Sequence, residues 1–197
     1  KTRWIAFVGI TNSNKLELLM LGIDPGLQRT GWGIVVQSGI KLSHIAHGTI
    51  KTKTSWSMAD RLHEIHSGLT EVISNCHPND ASIEKIFVAK GAESAIKLGM
   101  ARGVTMQACA GKGLSLREIS ARQVKKSVTG TGAADKIQVA AMVEKLLLVK
   151  PEGADAADAL AIAIAGINKG PDYHPDTLNS EAKTGLASAI EAALAKE

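Results

Sequence analysis

The sequence predicts an α/β domain in which helices flank a mixed five-stranded central sheet. Two short apolar runs separated by Pro25 and Gly26 predict a hairpin, and therefore antiparallel strands. Further along the chain, two strand-like runs alternate with segments of helical periodicity, which is the pattern of parallel strands joined by helices. A mixed sheet satisfies both patterns.

The first half of the chain contains most of the predicted strands. Three of them are expected over residues 18–23, 32–36 and 40–50. Apolar residues then recur at helical spacing from Met58 to Ile73, which predicts an amphipathic helix. Residues 81–88 are predicted as the fourth strand, after a turn that contains Pro78.

The second half of the chain is mainly helical. Residues 92–109 are predicted as a helix whose small residues suit close packing, including packing across a dimer. Residues 114–119 are the fifth strand, and Ser120 is expected to cap a short helix that continues through Val128. Two more helices are predicted, from about Ala133 to Val149 and from Asp155 to about Ile167.

Changes in composition predict where the folded domain begins and ends. Residues 1–19 are interpreted as an N-terminal extension, with Met20 as the expected natural start, and residues 20–169 as the domain. Residues 170–197 are rich in polar groups and are expected to be a flexible tail with a possible short helix. No stretch approaches the roughly 18 consecutive apolar residues of a membrane span, so no membrane association is expected.

Composition and charge restrict the classes of function. The chain has 197 residues, of which 45% are hydrophobic, as in an ordinary globular protein. Cys76 and Cys109 lie far apart without a C-x-x-C motif, so two buried thiols in a reducing cytosol are expected. Residues 84–136 contain ten basic residues against four acids. That excess suits a polyanion such as nucleic acid, although a solvated lysine-rich face has the same composition.

Four carboxylates lie in apolar surroundings, where an unpaired charge is costly. Asp24 ends the first apolar run, Glu84 lies within the fourth predicted strand, and Asp155 and Asp158 open an alanine-rich helix. Because Asp155 and Asp158 are three residues apart, they share a helix face, and the helix dipole favours negative charge there. That pair alone also fits ordinary capping, but the four acids together predict a Mg²⁺ site with oxygen ligands.

Several ordered motifs resemble the RuvC family of Holliday junction resolvases. They are Gly-Ile-Asp-Pro-Gly at residues 22–26, Thr-Gly-Trp-Gly at 30–33 and Ile-Glu-Lys-Ile-Phe at 83–87. A basic segment follows at residues 121–136, and a helix that opens with Ala-Asp-Ala-Ala-Asp follows at residues 154–161. The likeness runs in matching order from about Met20 to Ile167. It implies a ribonuclease-H-like fold, a homodimer and magnesium-dependent cutting of four-way DNA junctions in recombination and repair.

The resemblance also implies roles for the site residues. Asp24 would bridge two Mg²⁺ ions, which Mn²⁺ could replace, and Glu84 would ligate the ion that orients the attacking water. Asp158 would be a direct ligand, whereas Asp155 is either a ligand or an outer-shell group. Lys125 and Lys136, which match basic positions near the scissile phosphate in that family, would complete the catalytic set.

Further residues are candidates for contact with DNA. Phe87 follows Glu84 by three residues; its spacing alone favours a core position, whereas the resemblance favours stacking on an unpaired base. The basic residues expected on the phosphate backbone also fit an ordinary solvated surface; they are Lys90, Lys97, Arg122 and Lys126. Arg29 and Thr30 follow Asp24 closely and could also touch DNA.

Two alternative functions remain open at this point, and a third is excluded. One is another ribonuclease-H-like nuclease acting on RNA or other branched DNA, and a second is a non-catalytic junction-binding protein. An actin-like ATPase also places an acid before a glycine, but it needs a second phosphate loop and a longer chain than this one. The resemblance further implies a cytoplasmic protein that works with a branch-migration helicase of the RuvA–RuvB type.

Overall fold

The structure is a computed structural model that describes residues 17–85 and 91–170. Within these residues the strands are β1 (Glu17–Asp24), β2 (Arg29–Ser38), β3 (Lys41–Lys51), β4 (Asp80–Glu84) and β5 (Ser115–Ile119). The helices are α1 (Met58–Cys76), α2 (Ala92–Ala110), α3 (Ala121–Thr129), α4 (Lys136–Leu147) and α5 (Ala154–Lys169). No helix in this described part of the chain is long and apolar enough to cross a membrane.

The five strands form one mixed sheet in the order β3-β2-β1-β4-β5. Strands β1, β2 and β3 pair in antiparallel fashion, as the hairpin pattern predicts. Strand β4 runs parallel to both β1 and β5, because a helix crosses over between each pair. The predicted mixed five-stranded α/β architecture is therefore confirmed.

Several element boundaries differ from those predicted. Strand β1 begins at Glu17, because Glu17 still pairs with Ser38 of β2, so the sheet extends into the predicted N-terminal extension. Helix α4 begins at Lys136 rather than Ala133, because Asp135 caps it by accepting a hydrogen bond from the Gln138 backbone N–H. Ser120 caps α3 in the same manner, as predicted.

Helices cover both faces of the sheet. Side chains of β1 alternate between the faces, so that Met20 packs in a core with α3, α4 and α5, whereas Leu21 packs with α1 and α2. Cys76 and Cys109 lie in the second core as buried free thiols, as predicted. The sheet is consequently buried on both sides, and only its edges and strand ends remain for function.

Helix α5 lies against the middle of the sheet at unusually short distance. A Cβ atom placed on Gly22 of β1 would lie 2.0 Å from the Ala159 carbonyl oxygen of α5. One placed on Gly31 of β2 would lie 2.0 Å from the Asp155 carbonyl oxygen. These glycines therefore allow α5 to approach the sheet, and they place its first turn beside the end of β1.

Candidate active site

Two of the four predicted acids lie side by side at the carboxyl ends of parallel strands. Ile23 of β1 pairs with Ile83 of β4, so Asp24 and Glu84 both follow one residue later at the same edge. Both side chains are partly buried. The Glu84 carbonyl oxygen accepts a hydrogen bond from the Arg102 guanidinium, which braces this end of β4 from α2.

Helix α5 brings the other two acids to the same edge of the sheet. Asp155 lies in its first turn, whereas Asp158, which was also predicted there, lies just beyond it. Each carboxylate is paired with a cation: Arg29 Nε lies 2.5 Å from Asp155 Oδ2, and Lys136 Nζ lies 2.9 Å from Asp158 Oδ2. The fold therefore interleaves acids and bases at one edge.

The acids at this edge disfavour one another's charge. Burial is the main cause that raises the pKa of Asp24 to about 7; the carboxylates of Asp158 and Glu84 contribute to this rise, and the charge of Lys136 opposes it. Burial and Asp158 likewise raise the pKa of Glu84, whereas Lys136 and Lys125 lower it. The hydrogen bond to Asp158 is the main reason that the pKa of Lys136 is raised.

These shifts mark a site in which burial and neighbouring acids outweigh the positive charge near Asp24. Within residues 17–85 and 91–170, no three His, Cys, Asp or Glu side chains already converge as metal ligands. Two of the four acids are instead directed toward cations, Asp155 toward Arg29 and Asp158 toward Lys136. A purely carboxylate donor set with such electrostatic strain nevertheless fits a hard divalent cation. We define these four acids as the carboxylate cluster.

The predicted DNA-contact residues differ in how far the fold exposes them to solvent. Arg29 is half exposed at the cluster, but Thr30 is fully buried and donates its hydroxyl hydrogen to the Gly26 carbonyl oxygen, 2.9 Å away. That burial does not fit the prediction that Thr30 touches DNA; Thr30 instead stabilises the turn after Asp24. Among the basic residues of α3, Arg122 and Lys126 are exposed and Lys125 is partly buried. Phe87 and Lys90 lie outside the described residues.

Two arginines among the ten basic residues of the 84–136 stretch serve the fold instead of a polyanion. Arg117 is buried, and its guanidinium is paired with Asp80 and donates to the Gly166 carbonyl oxygen. Arg102 lies 3.0 Å from the Glu118 carboxylate. Charge counting alone could not separate them from the surface lysines, because their partners lie on other elements.

The comparisons with known proteins agree with this geometry. The family profile described as "Crossover junction endodeoxyribonuclease RuvC" matches residues 20–166, which is well over half of the chain. The chain belongs to the RuvC family. All four acids of the carboxylate cluster, with Lys125 and Lys136, lie inside the matched range.

This chain matches two RuvC proteins over more than nine-tenths of their length. A crossover junction endodeoxyribonuclease RuvC from Erythrobacter litoralis is 48% identical over 151 residues, 76% of this chain and 93% of that one. The structure of T. thermophilus RuvC in complex with Holliday junction substrate matches with a TM-score of 0.71 and 32% identity, over 75% of this chain and 92% of that chain. The yeast mitochondrial Holliday junction resolvase Ydc2 matches with a TM-score of 0.55 and 14% identity, over 74% of this chain and 76% of that one, which shows the shared ribonuclease-H-like fold.

Proposed function

We infer that this protein is a structure-specific endonuclease that resolves four-way DNA junctions by hydrolysing phosphodiester bonds. The observation that carries the inference is the carboxylate cluster, in which burial and neighbouring acids raise the pKa of Asp24 to about 7. Membership of the RuvC family supplies the reaction class and the junction substrate. Four acids gathered at one sheet edge supply a place for the chemistry.

Asp24, Glu84 and Asp158 are the residues that we propose as ligands for Mg²⁺, with Asp155 as the fourth candidate. Two such ions per site, replaceable by Mn²⁺, would supply charge neutralisation at the phosphate and help to ionise the attacking water. The pairing of Asp155 with Arg29 is consistent with a supporting role for that carboxylate.

Lys136 is the basic residue best placed to act in the reaction. Its ammonium group lies 2.9 Å from Asp158 and 82% of its side chain is exposed, so it can reach toward a bound phosphate. There it would stabilise negative charge that develops on the phosphate oxygens. Lys125 lowers the pKa of Glu84 electrostatically and would assist in the same role. Arg29, half exposed beside Asp155, would hold the adjoining backbone.

The test is nicking of a synthetic four-way junction in the presence of Mg²⁺. We expect paired nicks by the unmodified protein and a loss of about 1,000-fold or more for Asp24→Asn, since several kcal/mol of transition-state stabilisation depend on the bound cation. Junction binding by Asp24→Asn should persist. Glu144→Gln, which changes an exposed acid on α4, is the matched control.

Other outcomes of this assay identify the competing functions. Equal cutting of linear duplex or of RNA would identify another ribonuclease-H-like nuclease. Junction binding without any nicking, across several junction sequences, would identify a non-catalytic binding protein.

We also propose a homodimer, since paired nicks need two sites. The side of α2 turned away from the sheet exposes Ile96 (59%) and Met100 (43%). A Cβ on Gly99 or Gly103 would have no atom of the described residues within 4 Å, so a second helix can approach closely. Met100→Glu should lower the dimer fraction in sedimentation experiments, whereas Ile40→Glu at the β2–β3 hairpin should not.

The remaining proposals rest on the family alone. We expect the protein to be cytoplasmic, where the chromosomal DNA of a bacterium lies. We also expect it to act with a branch-migration helicase of the RuvA–RuvB type, and co-purification with those proteins would test that partnership.

A further inference from the structure

A cleft of about 390 Å³ opens between the loops that follow β1 and β3 and the helices α1 and α2. Its polar lining consists of Gln28, Thr54, Arg61, Ser94 and Lys97. None of the described residues that line it is acidic. We call it the Arg61 cleft; its volume lies in the range of small-ligand sites.

Arg61 is the most unusual residue of this cleft, because it is a cation with only 8% of its surface exposed. Its Nε donates to Thr52 Oγ1 over 3.0 Å, and the Thr52 hydroxyl donates to the Leu27 carbonyl oxygen over 2.5 Å. Neither terminal amino group of Arg61 has a hydrogen-bond or ion-pair partner among the described residues. Since the described residues also contain no fully buried polar side-chain atom without a partner, these amino groups open into the cleft.

This arrangement presents a fixed guanidinium without an acceptor. A buried cation needs a compensating anion or hydrogen-bond acceptor, and a guanidinium fork matches the oxygens of a phosphate. The bond from Nε to Thr52 holds the fork in place, so little side-chain freedom is lost when an anion binds.

Helix α2 adds positive potential to the same cleft. Lys97 pairs with Glu93, one helical turn earlier on the exposed surface. Such a surface ion pair contributes little to stability, so the Lys97 ammonium group can turn toward the cleft. Ser94 lies in the first turn of α2, and no side chain of the described residues caps that helix end. Its free N–H groups and the helix dipole favour an anion.

The Arg61 cleft also adjoins the carboxylate cluster. Leu27 and Gln28 line the cleft, and they belong to the loop that connects Asp24 with Arg29. Four residues span at most about 14 Å, so an anion beside Gln28 lies within a few nucleotides of a phosphate at Asp24.

We propose that the Arg61 cleft binds a backbone phosphate, with its sugar, on the DNA strand that is cut, a few nucleotides from the scissile bond. The proposal rests on the proposed function and extends it, because it assigns Arg61 and Lys97 as residues that set the position of the strand. Leu27 and Leu98 supply apolar surface for the sugar. The outward side of α2 that would form the dimer is opposite to this cleft.

The test uses junction binding by the full chain in the Asp24→Asn background, which avoids cleavage. Arg61→Lys and Lys97→Gln should each weaken binding by about 10-fold, and Lys97→Gln should lower the slope of log Kd against log salt by about one. Neutral methylphosphonates placed one at a time near the cut should reveal one position that weakens binding only while Lys97 is present. Lys112→Gln, at the opposite end of α2, is the matched control.

Each other outcome overturns the proposal in a recognisable way. If Lys97→Gln leaves the methylphosphonate profile unchanged, or if Lys112→Gln weakens binding equally, the cleft does not hold the strand. If thymidine monophosphate binds at micromolar concentration and Arg61→Lys abolishes that binding, the occupant is a free nucleotide. If the unmodified protein binds no junction, the proposed function fails as well. If only the strand-positioning role of the cleft is wrong, the unmodified protein still binds and nicks the junction. Thermal unfolding of Arg61→Lys shows whether this variant is folded. If Arg61→Lys misfolds, the Lys97→Gln variant still tests the proposal.

Discussion

Helix α5 begins among charges and continues among aliphatic side chains, and its two parts are stabilised in opposite ways. From Ala159 to Ile167 every residue is buried against the sheet or the neighbouring helices. At the other end, Asp155 and Asp158 are paired with Arg29 and Lys136 beside acids whose charges repel them. The part from Ala159 to Ile167 gains stability from packing, whereas the charged beginning of the helix loses stability to repulsion.

The difference shows how this fold keeps like charges together. Carboxylates that repel one another would separate if their elements could move. The close contact of α5 with Gly22 and Gly31 prevents that movement, since backbone atoms of the helix lie directly on the strands. Stability in the apolar part of α5 therefore sustains an electrostatically strained site at its beginning.

Gly22→Ala should disturb this contact most. Its Cβ would lie 2.0 Å from the Ala159 oxygen and 2.4 Å from the Ala163 nitrogen, both backbone atoms that no rotamer change can remove. We expect a loss of about 3 kcal/mol or more in the free energy of unfolding, measured by urea denaturation.

Gly33→Ala is the matched control, because Gly33 pairs with Gly22 across the strands. Its closest obstacle is the Leu160 side chain at 2.7 Å, and the nearest backbone atom, the Leu160 nitrogen, is farther away at 3.1 Å, so the loss should be smaller. Equal losses for the two variants would contradict the idea that the backbone of α5 is the rigid contact.

Asp24→Asn should stabilise the metal-free protein at high pH. The folded state raises the pKa of Asp24 from 3.8 to about 7, so the folded protein retains its proton longer than the unfolded chain does. The free energy of unfolding therefore falls as pH rises from about 4 to 7, and the full cost is present above that range. We expect the variant to gain a few kcal/mol at pH 8 in EDTA and almost nothing at pH 4.

A divalent cation should reverse the order of stability of Asp24→Asn and the unmodified protein. Mg²⁺ should raise the melting temperature of the unmodified protein at pH 8 and have much less effect on Asp24→Asn. Glu144→Gln should respond to Mg²⁺ as the unmodified protein does. A variant that is less stable than the unmodified protein in EDTA at pH 8 would show that Asp24 is not strained.

Much of the fold and of the site could be predicted because its signals are local. Two short apolar runs located β1 and β2, and Ser120 marked the start of α3. Asp24 and Glu84 stood out because each acid adjoins a buried strand residue. Their convergence at one edge follows from the parallel pairing of β1 with β4.

Other features depend on pairs that are distant in sequence, and no local pattern announces them. The ion pair between Arg29 and Asp155 joins residues 126 positions apart. The bracing of Glu84 by Arg102 and the opening of Arg61 into a cleft depend on how α1 and α2 pack. The histidines of β3 were missed for the same reason.

Those histidines connect β3 with the loop that leads into α5. Glu152 N–H donates to His47 Nε2 over 3.1 Å, so the proton of His47 lies on Nδ1 and is donated to His44 Nε2, 2.7 Å away. This relay holds the entrance to the strained end of α5 and exists only while both rings are neutral.

His44→Gln should have the smallest effect, and an opposite dependence on pH from that of Asp24→Asn. Burial, with a contribution from His47, lowers the pKa of His44 to about 4, so between pH 6.5 and 4 the unfolded chain binds the proton and the folded state does not. The free energy of unfolding of the unmodified protein therefore falls as pH falls through that range. Because the ring is partly exposed, we expect a difference of only about 1 kcal/mol between pH 7 and pH 4.5. Urea denaturation at the two pH values should show a flatter profile for His44→Gln and an unchanged one for His63→Gln on α1. A profile for His44→Gln as steep as that of the unmodified protein would mean that burial of this ring does not cause the pH dependence.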